Sequence, residues 1–85
     1  SVRLIELIKS GRLRRGTVLY HPARRYRDRN VTATVVRDGI EIAGRVFESP
    51  SAAAQFITGH AVNGWLFWRL QASGKQLSGV RDHAS

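Results

Sequence analysis

A chain of 85 residues with no cysteine makes one domain with one small hydrophobic core, which excludes an interdomain cleft, a disulfide framework and a thiolate zinc site. Cysteine-free composition favours a reducing compartment, so the expected location is the cytoplasm, on the nucleoid of a bacterium or in the nucleus of a eukaryote. The charge is the strongest compositional signal: 14 Lys and Arg against 6 Asp and Glu give a formal net charge of +8 and point to a polyanionic partner.

Twelve of those basic residues are arginine. Its planar fork binds a phosphate or a guanine edge through two parallel hydrogen bonds, which a lysine ammonium does not do. A GC-rich genome also replaces lysine by arginine, and basicity attracts RNA and membranes too. No apolar run approaches the ~20 residues that span a bilayer, and Ser1-Val2-Arg3-Leu4 lacks the basic, apolar, small-residue order of a signal peptide, so no membrane partner is expected. A start without methionine fits a single domain, residues 1–85, excised from a longer polypeptide.

From Val2 to Ser10 the apolar residues Leu4, Ile5, Leu7 and Ile8 predict a short amphipathic helix, with Gly11 placed as its C-terminal cap. Gly16 precedes a first strand, Thr17 to Tyr20. His21-Pro22 breaks the pattern, and Ala23 to Asn30 sets Arg24, Arg25, Arg27 and Arg29 around Tyr26 in a basic loop. The run Val31 to Ile42 carries Asp38-Gly39, a favoured two-residue hairpin turn. With that pair as the loop, Val35 faces Ile42 and Arg37 faces Ile40. Ala33, Val35, Ile40 and Ile42 then share an apolar face, with Thr32, Thr34 and Glu41 on the other. A turn at Ala43-Gly44 returns Arg45 to Phe47 as a third strand, with Phe47 on the inner face.

Ser49-Pro50 announces a helix to about Thr58, the serine capping free amides and the proline filling the first helical position. Ala53, Phe56 and Ile57 are spaced to dock on the sheet, and Gly59 closes the helix. Asn63-Gly64 reads as a turn, and Trp65 to Leu70 as a strand with Leu66, Trp68 and Leu70 on one face and Trp65, Phe67 and Arg69 on the other. After a turn at Ser73-Gly74, residues 71–85 form a polar C-terminal segment anchored only by Leu77 and Val80. The predicted fold is α+β: an N-terminal helix, a three-stranded antiparallel meander, a helix and a further strand.

Ser49-Pro50-Ser51-Ala52-Ala53-Ala54, Gly59, Asn63-Gly64-Trp65 and Trp68, with Leu77 and Arg81 beyond, together resemble the RAMA domain, the restriction enzyme and adenine methylase associated domain. The resemblance covers nearly the whole chain, and the spacing from Ser-Pro-Ser to Asn-Gly-Trp is fairly specific. An uncharacterised nuclease-attached family shares the Ser-Pro-Ser-Ala-Ala-Ala and Asn-Gly pieces, but Trp65 and Trp68 favour RAMA. The C-terminal domain of some cell-cycle DNA adenine methyltransferases carries a similar Asn-Gly-Trp-x-x-Trp element. What the resemblance implies is an accessory module that binds duplex DNA, reads methylated bases such as N6-methyladenine, and works with a fused or associated methyltransferase or restriction nuclease.

The residues themselves leave alternatives open. Ser49 and Ser51 sit where a helix start binds phosphate, or where a helix caps itself. Asn63 is a turn residue, or an amide that meets an adenine edge. Trp68 falls with the core positions, whereas Trp65 shares its side with Arg69 and, if exposed, would stack on a base or touch an N6-methyl group. The arginines at 24, 25, 27 and 29 form a solvated surface or a phosphate clamp, which Arg45 and Arg69 would extend. Against catalysis stands the inventory: His21, His60 and His83 are scattered, the six acids are separated, and no P-loop or metal-ligand spacing occurs, so neither an enzyme nor a cofactor is expected. From another class comes the alternative that the basic face docks an acidic protein, a nuclease or methylase partner.

Overall fold

The computed structural model describes residues 3–22 and 31–84; the predicted basic loop with Arg24, Arg25, Arg27 and Arg29 lies outside the described residues. In chain order the elements are α1 (Leu4–Lys9), β1 (Val18–Tyr20), β2 (Thr32–Val36), β3 (Gly39–Ile42), β4 (Arg45–Phe47), α2 (Pro50–Thr58), α3 (Gly64–Phe67), β5 (Arg69–Leu70) and α4 (Leu77–Ala84). The strands form one five-stranded sheet in the order β4-β3-β2-β1-β5, with every pairing antiparallel. The fold is therefore α+β, and the predicted meander is the β2-β3-β4 part of it.

One face of the sheet is buried because the apolar residues fall on alternate positions that pair across the strands. Leu19 lies opposite Ala33, Val35 opposite Ile40, and Ile40 opposite Phe47. Leu4, Leu7 and Ile8 of α1, Ala53 and Ala54 of α2, and Phe67, Trp68 and Leu77 are buried in the same core. Gly11, at φ 82°, turns the chain after α1 so that Leu13 donates its N–H back to the Leu7 carbonyl at 3.1 Å and is itself buried. No helix among the described residues is long and apolar enough to cross a membrane.

The hairpin differs from the expected register by two residues: Val35 pairs with Ile40 and Val36 with Gly39, so Arg37 and Asp38 form the turn. Gly39 belongs to the strand because its neighbour requires it there. At φ 152° it passes so close to β4 that a Cβ would stand 2.0 Å from the Phe47 carbonyl oxygen. A shift of two residues, unlike a shift of one, keeps every side chain on its face, so the predicted inner set survives. Ala43 and Gly44, at φ 50° and 81°, make the following tight turn.

One further expectation is overturned and two are refined. The run from Trp65 is not a strand: Gly64–Phe67 form a single helical turn and only Arg69–Leu70 pair in the sheet. A helical turn buries both Phe67 and Trp68 on one side, which an extended chain would send to opposite faces. Phe56 docks only at the sheet's β4 edge: its ring lies 5.2 Å from that of Phe47 yet is 43% exposed, and the close approach of α2 is made by Ala53 and Ala54, both fully buried. The polar tail contains α4, whose Leu77 is fully buried.

Gly39→Ala is expected to cost roughly 3 kcal/mol or more, since the added carbon meets backbone as well as an unfavourable φ. Gly44→Ala, with open space around it, should cost only about 1 kcal/mol. Urea denaturation of the two variants measures the difference.

Candidate nucleic-acid interface

The candidate surface is organised by the start of α2. Ser49 is extended, and its Oγ accepts the Ala52 N–H at 3.1 Å, while Pro50 fills the first turn. Gly64 lies directly on the Pro50–Ser51 peptide: a Cβ there would stand 2.0 Å from the Pro50 carbonyl carbon. Two hydrogen bonds hold this approach. The Gly64 N–H donates to Ser51 Oγ at 3.0 Å, and the Trp68 indole Nε1 donates to the Pro50 carbonyl at 3.1 Å. Trp68 is fully buried. Asn63 caps α3, its Oδ1 accepting the Trp65 N–H at 3.0 Å. Ser51 and Asn63, both candidate ligand contacts, thus have defined work inside the fold.

Because α3 is pinned at Gly64, the next residue, Trp65, is carried to the edge of the core, where it is half-buried. The guanidinium of Arg81, from α4, stands over its ring with Cζ 4.8 Å from the centroid. These two residues, Arg3, Glu48 and Ser49 line a groove of about 540 Å³ that also borders Phe47 of β4. Arg45 lies next to Phe47, its Cζ 5.7 Å from that ring and 5.2 Å from the ring of Phe56. A guanidinium held against aromatic faces keeps its N–H fork available while its plane is fixed.

The predicted residues do not all gather here. Ser49 and Trp65 line the groove, and Ser51 and Asn63 stand behind its wall. Arg69 is on β5, at the opposite edge of the sheet from the β4 strand that carries Arg45. Four interstrand spacings, about 19 Å, separate those edges, so the two arginines stand at opposite edges of the sheet. Half-buried Arg69 donates from Nη1 to the Gly74 carbonyl at 3.3 Å and sits opposite Tyr20, close to where the chain leaves toward residues 23–30. At that end His21 stacks on Phe67, centroids 3.7 Å apart, with Nδ1 2.8 Å from the Phe67 carbonyl oxygen; the tautomer that makes this bond carries its proton on Nδ1.

Arg3 and Arg81 are groove residues that the residue-by-residue reading passed over. Arg81 was findable: Leu77, Val80 and Arg81 have the spacing of one helix face, so an anchor at Leu77 carries the arginine with it. Arg3 gave no signal, because it only precedes α1. Among the described residues, no three His, Asp or Glu side chains come together as metal ligands.

Residues 1–84 match the family described as Restriction Enzyme Adenine Methylase Associated, RAMA. No curated protein matches the sequence.

Ser51→Ala leaves the part-buried Gly64 N–H without its acceptor and should lower stability by roughly 1–2 kcal/mol, seen as a melting temperature lower by about 4–15 °C for a domain of this size. Gly64→Ala drives a carbon into the Pro50–Ser51 backbone, so loss of more than about 3 kcal/mol, or failure to fold, is expected. Circular dichroism melts of both variants distinguish the two losses.

Proposed function

The chain belongs to the RAMA family, whose members are associated with restriction enzymes and adenine methylases, and we propose that it is a non-catalytic module that binds duplex DNA for such an enzyme. The observation that carries this reading is the groove lined by Arg3, Trp65 and Arg81, in a chain of net charge +8. Glu48 alone opposes them among the groove residues named above. Cationic side chains that neutralise phosphates release condensed counterions, and that release supplies the sequence-independent part of DNA affinity.

In this proposal phosphates are held by Arg24, Arg25, Arg27 and Arg29, by Arg45 and Arg69 at the two sheet edges, and by the α2 start at Ser49 and Ser51. Such contacts set register. The finer part of the proposal is recognition of N6-methyladenine by Asn63 and Trp65. Asn63 is exposed with Oδ1 already accepting one N–H, so it meets an adenine edge with its NH₂ and the second Oδ1 lone pair. The methyl group of a paired N6-methyladenine lies in the major groove, within reach of an indole on a groove rim. The enzyme served is a fused or associated methyltransferase or restriction nuclease, working in the cytoplasm or nucleus.

A second reading, a docking module for that enzyme, is favoured by three large apolar side chains left exposed: Val46, which borders the groove, Phe56 and Leu66, at 48%, 43% and 51%. A DNA ligand is competed away by heparin and by unrelated duplex. A docking module ignores duplex and elutes with its partner.

Fluorescence anisotropy of one duplex, prepared unmethylated, hemimethylated and fully N6-methylated, tests the proposal. With about four phosphates engaged, affinity should fall roughly a hundredfold between about 50 and about 200 mM salt. Methylated duplex should bind more tightly, and Trp65→Ala or Asn63→Ala should remove that preference. Equal affinity for all three sinks the methyl reading and leaves a general DNA clamp. No binding at low salt sinks the DNA reading in favour of docking.

A further inference from the structure

We propose that the free edge of β4 is a docking strand for an extended segment of a protein partner, of the pattern apolar-apolar-acid, whose carboxylate meets the guanidinium of Arg45. The inference goes beyond the DNA reading and stands without it. Its starting observation is a difference between the two edges of the sheet. The β5 edge is closed by the chain itself: Arg69 bridges to Gln76, the Leu70 N–H donates to the Lys75 carbonyl at 2.8 Å, and the Leu77 N–H donates to the Trp68 carbonyl at 2.9 Å. The β4 edge has no such cover among the described residues.

The turn before β4 fixes which of its backbone groups face outward. Ala43 and Gly44 both have positive φ and Ile42 pairs with Arg45, so the hairpin closes through a two-residue turn of the I′ kind. The closing pair of such a turn is hydrogen-bonded and the ladder alternates. Ile42 with Arg45 and Ile40 with Phe47 are therefore bonded pairs, and Glu41 with Val46 is not. The N–H and C=O of Val46 point away from β3, and neither meets a backbone partner among the described residues. An open donor and acceptor of this kind are completed by another polypeptide backbone, a repeat that nucleic acid lacks.

The side chains around Val46 define the segment. Arg45 and Phe47 lie opposite the buried Ile42 and Ile40, on the inner face, where Phe56 of α2 joins them. The Arg45 Cζ stands 5.7 Å from the Phe47 ring and 5.2 Å from the Phe56 ring, and beyond these two rings the exposed Arg45 side chain has no partner among the described residues. In antiparallel pairing, the segment residue opposite Val46 exchanges both hydrogen bonds with it. The residue before that one faces Phe47 and Phe56, and the residue after it faces Arg45. Apolar side chains suit the first two positions, because Val46 and Phe56 are both exposed. An acid suits the third, because a carboxylate accepts the guanidinium N–H groups. A chain of net charge +8 also attracts an acidic segment and repels a second copy of itself. Arg45, a phosphate contact in the DNA reading, is taken over by the carboxylate when the segment docks.

The test is fluorescence anisotropy of a dye-labelled, end-capped peptide, Ser-Phe-Val-Glu-Ser, titrated with the full chain in the absence of DNA. Saturable binding with a Kd below ~1 mM is expected. Three residues of edge make a weak site, which is sufficient where the segment belongs to a fused or associated enzyme. N-methylation of the peptide valine removes the N–H that the Val46 carbonyl accepts and should abolish binding. Glutamine in place of the peptide glutamate should weaken it by about threefold or more. Arg45→Glu should reject this peptide and bind one with lysine in place of glutamate, a rescue that a structural role for Arg45 does not produce. The peptide changes leave the protein untouched, and thermal melts establish that Arg45→Glu is folded. If it is not, Arg45→Gln takes its place and should bind the glutamate and glutamine peptides equally. No saturable binding by ~1 mM, indifference to N-methylation, or absence of the rescue overturns the inference. So does a DNA salt slope made shallower by Arg45→Gln with no peptide bound, which gives the edge to DNA, or self-association lost in Val46→Pro, which gives it to a second copy. Failure of the chain to bind duplex at low salt overturns the DNA reading alone.

Discussion

The close approach of Gly64 to the Pro50–Ser51 peptide is the contact on which the rest of this small structure depends. It places two backbones nearer than any side chain allows, and it is secured by the Ser51 hydroxyl and the Trp68 indole from either side. In one step the contact joins α2 to α3, buries the largest side chain of the core, and satisfies polar groups that burial would otherwise leave unpaired. An 85-residue chain without disulfides has few alternatives, since its core alone gives marginal stability.

That same contact sets the groove. Trp65 follows Gly64 directly, Ser49 precedes Pro50, and both line the groove, so its two walls are positioned by one junction. Stability and the shape of the groove are consequently linked: loosening the junction moves the indole over which Arg81 stands. The linkage also explains why serine and asparagine occupy positions that look functional. Ser49, Ser51 and Asn63 each accept a backbone N–H of the junction or its helices, and that work is needed whether or not DNA is bound.

Most of the fold was legible in the sequence where local chemistry and long-range packing agree. Ser49-Pro50 and Gly59 bound α2 as capping rules require, and the alternation from Ala33 to Phe47 gave the correct inner face. Legibility failed where a distant neighbour decided. Gly39 resembles a turn residue until β4 is placed beside it, and Trp65 to Leu70 resembles a strand until Asn63 is seen to cap a helical turn. Alternation with both faces apolar carries no face information, so the period alone could not choose between strand and helix. Of the site, the motif residues were visible and their roles were not, because hydrogen-bond partners 13 and 18 positions apart leave no mark on composition or spacing. Arg81 was visible as part of the family resemblance and on a helix face with Leu77 and Val80, but its contact with Trp65, 16 positions away, leaves no mark on spacing.

In the proposed function, duplex DNA is bound at the groove beside Trp65. The most direct measurement is a two-dimensional amide spectrum of the labelled chain with and without a short duplex, following the Trp65 and Trp68 indole N–H signals separately. DNA binding at the groove predicts that Trp65 Nε1–H and the amides of Arg3 and Arg81 move, while the buried Trp68 Nε1–H, bonded to Pro50, stays in place. Perturbation confined to the β5 edge around Arg69 and Tyr20, with Trp65 unmoved, would contradict it.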